Sequence, residues 1–387
     1  MRQAAAASRR EAACLIKVLN VISDTNIGGA GRVLLNYLGC SDRERFETHV
    51  ALPRDSLLAP PLRETGAQVH EVAGIADRSY DRADVKRLRE LMGSLRPDIV
   101  HTHGCLSGRI AAKRCRIPVV YSRHSAFPVP AKLRYPPGRW VNKLINEHYA
   151  DRIIAVSPAA AKNLTDGGVS EKKITVMMNG VAPVVRRPKE ETNALRARWG
   201  LEEGDFVLGI LARLEDYKGH MNILSALHTL REESRPVKLL IAGVGPYEGA
   251  LRAETARLGL EDSVRFLGFV SDVAPLLSVL DLQLNASYGT ETSSLSILEG
   301  MSMGLPAVVS DYGGNPWLID DGEDGLLFPT RDAQALARAV ARLMDAPEEL
   351  SQMGRRAGEI YRTRFTGEIF AKKIEDIYLD ILKGAKS

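Results

Sequence analysis

Nowhere in the 387 residues does a run approach the ~20 consecutive apolar side chains that a membrane-spanning helix requires, so any contact with a bilayer is expected to be peripheral. The opening Met1-Arg-Gln-Ala-Ala-Ala-Ala-Ser-Arg-Arg-Glu11 lacks the apolar core of a secretory signal, and residues 1–13 read as a flexible basic tail. Cysteine is scarce. Cys14, Cys40, Cys105 and Cys115 form no Cys-x-x-Cys pair and do not make a disulfide framework in a chain this long. A reducing, cytoplasmic setting is therefore expected, extending to peripheral placement on the inner face of the membrane. Aromatic residues make up only 6%, which leaves no stacking platform for nucleic acid, and no nucleic-acid motif is recognised. Acidic residues are missing between Asp98 and Glu147, where Arg109, Lys113, Arg114, Arg116, Arg123, Lys132, Arg134, Arg139 and Lys143 all lie. Residues 1–185 carry 28 Lys and Arg against 17 Asp and Glu, while the remainder carries 24 against 31. A field of that sign favours an anionic partner, such as a phospholipid surface or a lipid-phosphate acceptor. A solvated basic face with no partner is the competing reading.

What is present is ordinary in amount, with 45% hydrophobic and 26% charged residues, and long enough for two full cores. Short apolar runs alternate with helix-length segments almost from end to end, the pattern of parallel strands joined by crossover helices. Strands are expected at 15–23, 48–52, 68–72, 98–103, 119–122, 152–156 and 174–178, and again at 206–212, 238–242, 264–267, 282–285, 307–310 and 325–328. Helical periodicity is clear at 84–95 and 139–149. Pro183 and Pro188 with a charge cluster mark a linker, which places a domain over 14–185, a second over 186–365, and a terminal helix over 366–387 that crosses back to the first.

Phosphate is bound by backbone N–H groups and cations, and parallel α/β sheets offer both where a strand ends and a helix begins. After the first strand comes Asn26-Ile-Gly28-Gly29-Ala-Gly31-Arg32, whose glycines allow close approach of a ligand. Leu34 stands where a Gly-x-Gly-x-x-Gly fingerprint needs its third glycine, which disfavours a dinucleotide oxidoreductase. A second glycine turn, Gly243-Val-Gly-Pro246, follows the 238–242 run. Arg213 and Lys218, in Gly209-Ile-Leu-Ala-Arg-Leu-Glu-Asp-Tyr-Lys-Gly219, should rise at the carboxyl edge of the second sheet, where two cations can grip a diphosphate. Glu291 and Glu299 stand eight residues apart in Glu291-Thr-Ser-Ser-Leu-Ser-Ile-Leu-Glu299. Ser293 and Ser294 precede the Leu295 helix as natural N-cap residues, with free N–H groups for the same diphosphate. Taken singly, each glutamate reads as a solvated carboxylate and each cation as a surface charge.

Taken together and in order, these segments resemble retaining glycosyltransferase family 4, with Phe266-x-Gly268 and Gly304-Leu-Pro-Ala-Val-Val-Ser-Asp-x-Gly-Gly314 completing the series. The likeness is dense over about 205–330 and looser before it, where Asn26–Gly31, Asp98-Ile-Val-His-Thr-His103, Ala155-Val-Ser157 and Asn179-Gly-Val181 match. The resemblance implies the GT-B fold: α/β, two Rossmann-like domains facing each other across a cleft. It implies a nucleotide-diphosphate sugar as donor, with Arg213 and Lys218 on the diphosphate, Glu299 on the ribose and Glu291 on the transferred sugar. His124 would be the active-site histidine, with His103 the rival, and Gly29 and Gly31 would line the opposite wall. Gly243, Ser293, Ser294 and Leu295 join the implied donor site, and Asn179 lies at its margin. No Asp-x-Asp occurs, so no metal and no cofactor are expected. The expected activity is transfer of a hexosyl or N-acetylhexosaminyl unit with retention to a lipid-linked or saccharide acceptor, in cell-surface polysaccharide or glycolipid assembly. The alternative is a nucleotide-sugar epimerase of the same fold. Two departures from the pattern bear on donor identity: Trp317 stands where an acid is common, and Ser293-Ser294 replace a common Phe-Gly.

Overall fold

The structure, a computed structural model, describes residues 15–384, and the tail expected over 1–13 lies outside them. In the first half β1 (Ile16–Ile22), β2 (Phe46–Pro53), β3 (Gln68–Val72), β4 (Ile99–His103), β5 (Val119–Arg123), β6 (Arg152–Ala155) and β7 (Ile174–Val176) form one sheet. Its order is β3-β2-β1-β4-β5-β6-β7, parallel throughout. In the second half β8 (Phe206–Leu211), β9 (Val237–Ala242), β10 (Val264–Gly268), β11 (Leu282–Asn285), β12 (Ala307–Ser310) and β13 (Gly325–Phe328) form another, ordered β10-β9-β8-β11-β12-β13 and again parallel. Every strand expected from the sequence forms; the central ones, such as β1, β4, β11 and β12, are buried by crossover helices on both faces, while the edge strands β3 and β7 are only partly covered. The two domains are Rossmann-like, as expected.

Helix boundaries follow local chemistry. The helix expected at 84–95 runs from Arg82 to Leu95, because Asp81 caps it by accepting from the Ala83 and Asp84 N–H groups. Arg96 ends it in the left-handed region, at φ 50°. The terminal helix Gly367–Gly384 lays Phe370, Ile374 and Tyr378 into the core of the first sheet beside Leu34, Tyr37 and Leu38. Tyr378 there meets the buried His101, its hydroxyl 2.6 Å from Nδ1. The chain passes between the domains twice, and the two passages lie side by side. Val181 N donates to the Phe365 carbonyl at 3.0 Å, and Gly367 N to the Val181 carbonyl at 2.9 Å.

Strand order reverses direction between β1 and β4 in one sheet and between β8 and β11 in the other. Loops leaving the carboxyl ends of the strands at such a switch point splay apart and open a crevice. These ends carry Asp24–Gly29 after β1, His124 after β5, Arg213 after β8, Gly243 after β9 and Ser287–Ser294 after β11, which include most of the segments singled out above.

Candidate functional site

A cleft of about 530 Å³ lies between the domains. One wall is Asp24, Gly28, Gly29, Arg32, His124 and Phe127; the other includes Arg213, Lys218, Gly243, Glu291, Ser293, Ser294, Leu295 and Glu299. Two glycines set the second wall. Gly219 (φ 74°) ends the turn that carries Lys218, and Gly243 (φ 149°) passes directly beneath the Arg213 turn. A side chain on either would run into a carbonyl, of Ala286 or Ala212 respectively, so the backbone packing requires glycine at both.

Half-buried Lys218 and buried Glu291 form an ion pair, Nζ donating to Oε2 at 2.9 Å. The same oxygen accepts from Asn285 Nδ2 at 3.1 Å and from Ser287 Oγ at 2.9 Å. Burial pushes the Glu291 carboxyl up, but Lys218 and these two donors outweigh it and hold the group below the ordinary carboxylate value. Oε1 has only the N–H of the next residue, Thr292, at 3.2 Å, so it keeps acceptor capacity toward the cleft. Arg213 is exposed and donates to the Tyr217 hydroxyl at 2.7 Å. The cleft therefore holds a buried carboxylate fixed in its charged form beside two cations.

Glu299 is placed differently. It sits in the helix Leu295–Ser302 with a side chain 15% exposed, and Arg32 Nη1 of the opposite wall lies 3.9 Å from its Oε1. Burial raises its pKa to about 7, and Arg32 lowers it only partly. Ser294 is the N-cap residue of that helix, but its hydroxyl makes no capping bond and lies 3.2 Å from Ser296 Oγ instead. The N–H groups of the first turn are left without a side-chain cap, beside a cleft holding Arg213 and Lys218. Ser293 joins the walls: its Oγ accepts from Asn179 N at 3.1 Å, and its carbonyl accepts from Asn179 Nδ2 at 3.3 Å.

The walls also meet around His124. Its carbonyl accepts from Thr292 Oγ1 at 3.3 Å, Ala126 N donates to Thr290 Oγ1 at 3.3 Å, and the Phe127 ring lies edge-on to Tyr217. Burial, with Arg123 nearby, pushes the His124 pKa down to about 4, so the ring is neutral at pH 7.

Comparison with known proteins gives these features a name. The model of Glycosyltransferase Family 4 matches residues 27–184, and that of Glycosyl transferases group 1 matches residues 191–359. D-inositol 3-phosphate glycosyltransferase 2 of Catenulispora acidiphila is 30% identical over 309 residues, 72% of this chain and 72% of its own. The chain belongs to glycosyltransferase family 4. Among other relatives of this glycosyltransferase, the putative glycosyltransferase EpsD of Bacillus subtilis is 29% identical over 314 residues, 76% of this chain and 79% of its own. Alpha-monoglucosyldiacylglycerol synthase of Streptococcus pneumoniae is 27% identical over 79% of this chain and 71% of its own. Among solved structures, a glycosyltransferase of Rickettsia africae superposes with TM-score 0.83 at 18% identity, covering 95% of this chain and 99% of that one. HepE of Anabaena in complex with UDP-glucose gives 0.81 at 23%, covering 94% and 99%. The fold is GT-B.

Of the residues singled out from the glycosyltransferase sequence, Gly29, His124, Asn179, Arg213, Lys218, Gly243, Glu291, Ser293, Ser294, Leu295 and Glu299 meet in this one cleft. Two do not reach it. Gly31 is two residues beyond Gly29 on the helix Gly29–Cys40, about 200° around the axis. It faces Leu58, which a Cβ there would meet at 2.6 Å, so its smallness serves packing. His103 lies one layer behind His124 and is 5% exposed. Trp317 stands outside the cleft, 52% exposed. Arg32 and Asp24 were missed. Arg32 had a signal in the sequence: it follows Gly29 by three, and residues i and i+3 share a helix face.

Proposed function

We propose that this glycosyltransferase moves a sugar from a nucleotide-diphosphate donor to an acceptor hydroxyl, with retention at the anomeric carbon and without a metal. The observation that carries the reading is the convergence of Arg213, Lys218 and an uncapped helix start with Glu291 and Glu299 on one wall of the cleft. Charge builds on the departing diphosphate as the glycosidic bond breaks, and fixed cations and N–H groups stabilise it without reorganising. Glu299 accepts from the ribose hydroxyls, and Glu291 from the sugar through its less engaged Oε1. Exposed Val244 and Phe269, with Val270 and Val273, supply an apolar flank for the base. HepE, solved with UDP-glucose, supports a uridine donor.

On the acceptor side, a membrane surface fits the chemistry of the helix Gly138–His148. Only its Asn146 is buried, Trp140 and Leu144 are 64% and 68% exposed, and Arg139 and Lys143 flank them. Apolar side chains turned to solvent among cations suit the interface of an anionic bilayer. The segment joining this helix to the cleft contains Ser125 and Phe127, both lining residues, so an acceptor held at the surface has a short path inward. The relative named alpha-monoglucosyldiacylglycerol synthase supports a lipid-linked acceptor in glycolipid or cell-surface polysaccharide assembly.

A thermal-shift screen against UDP-, GDP- and ADP-sugars, with and without EDTA, tests the donor reading. A ligand at 100 times its dissociation constant adds about 2.7 kcal/mol of stability. Stabilisation by one nucleotide sugar that survives EDTA is the expected result, followed by an α-linked product from an α-linked donor. No stabilisation by any of them refutes the reading. A second sugar isomer formed from donor alone assigns an epimerase.

A further inference from the structure

Behind His124 runs a line of buried polar groups that the donor site does not use. His124 Nε2 lies 2.9 Å from His103 Nδ1, with the ring centroids 5.2 Å apart and the ring planes within 19° of each other, so the rings meet edge to edge. His103 Nε2 lies 3.3 Å from Oδ1 of Asn20, a fully buried residue on β1. The three residues sit on or just beyond the adjacent strands β1, β4 and β5, so the sheet itself fixes the line. His124 lines the cleft, and its Nδ1 is enclosed, with no hydrogen-bond partner among the described residues.

The protons along this line are not free to choose. A neutral imidazole carries one N–H and one bare nitrogen, and an amide oxygen only accepts. Asn20 Oδ1 therefore requires the hydrogen of His103 on Nε2, which leaves His103 Nδ1 bare. Nδ1 then accepts from His124, which puts that hydrogen on Nε2. Burial keeps both rings neutral, His103 well below the ordinary histidine value and His124 at about 4, so the alternation is not broken by a doubly protonated ring.

We propose that Asn20 is a positioning residue that acts through His103 to hold His124 in the Nε2-protonated tautomer, leaving Nδ1 as an acceptor for a substrate hydroxyl in the cleft. The hydroxyl rests on the glycosyl-transfer reading; the tautomer does not. A hydroxyl that donates to Nδ1 is oriented with its lone pairs toward the reacting carbon, whereas a ring with hydrogen on Nδ1 would turn the same hydroxyl around. The flanking cations of the cleft do not replace this contact, because lysine and arginine only donate.

Nitrogen-15 NMR of protein labelled in its histidine rings tests the proposal, with the eight histidines distinguished by single His→Gln variants. In the wild type, His124 and His103 should both show a protonated Nε2 and a bare Nδ1. The inverse pattern, with hydrogen on Nδ1 of both rings, places the Asn20 amide the other way round and overturns the proposal without any variant or turnover assay. Asn20→Leu should give His124 a population protonated at Nδ1 and lower kcat at least ~10-fold, while the donor KM stays within ~2-fold. An unchanged tautomer, or a changed tautomer with unchanged kcat, refutes the role. If no donor is turned over by the wild type, the functional reading fails and the spectrum still decides the tautomer.

Discussion

Replacing Glu299 by glutamine should make the unliganded protein more stable and its donor binding weaker, and the size of the first effect should depend on pH. In the unfolded chain this carboxyl ionises near 4.5, and in the folded protein near 7. The folded state therefore keeps its proton over a window in which the unfolded state has lost it. Stability falls as pH rises through that window, and the full cost is present above it. At about 1.4 kcal/mol per unit of pH, the cost reaches about 3 kcal/mol at pH 8 and about 1 kcal/mol at pH 5. Glutamine has nearly the same shape and no charge, so it removes the cost and with it the pH dependence. Melting curves at the two pH values should show Glu299→Gln several degrees above wild type at pH 8 and about a third of that at pH 5. Isothermal titration with the donor should show the opposite sign, with affinity lower by roughly 10- to 100-fold, since a hydrogen bond to a charged acceptor contributes about 1.5–3 kcal/mol. A variant less stable than wild type at pH 8 would mean that Arg32, 3.9 Å away, more than compensates the buried charge. A variant that binds donor as tightly as wild type would remove Glu299 from the ribose.

Lys218→Ala should lower turnover at least ~100-fold and also destabilise the protein by about 3 kcal/mol, because it strands the buried Glu291 carboxylate. The double variant Lys218→Met with Glu291→Gln should regain most of that stability in denaturant titrations and none of the turnover; recovered activity would refute the electrostatic role. Gly243→Ala should cost at least ~2 kcal/mol, since φ 149° and the Ala212 carbonyl both oppose a side chain, and a melting temperature equal to wild type would contradict the packing argument. Trp140→Ser with Leu144→Ser should abolish flotation with vesicles rich in anionic lipid while leaving turnover of a water-soluble acceptor unchanged. Flotation that ignores lipid charge would count against the surface.

The sequence carried the fold almost completely and the cleft in large part, and the reason is the same for both. Parallel strands buried on two faces are short apolar runs with little freedom to be anything else, and topology sends their carboxyl ends to one place. A residue read as lying just past a strand end, such as Arg213, Gly243 or His124, is thereby placed in the cleft before its contacts are known. What escaped depends on rotation about a helix and on depth within a layer, neither of which a strand end fixes. Gly31 belongs to a glycine-rich turn in the sequence, yet a rotation of about 200° from Gly29 turns it from the ligand toward Leu58. The same geometry brings Arg32 back round to within 3.9 Å of Glu299 on the other domain, a contact whose partners stand more than 260 residues apart in the chain. His103 and His124 each follow a motif and look like rivals for one role. Set edge to edge, one behind the other, they are one unit, in which the hidden ring governs which nitrogen the visible ring can offer. Asn20, inside an apolar strand, gives no sign in one dimension that it ends that line, since only the pairing of β1 with β4 brings it beside His103.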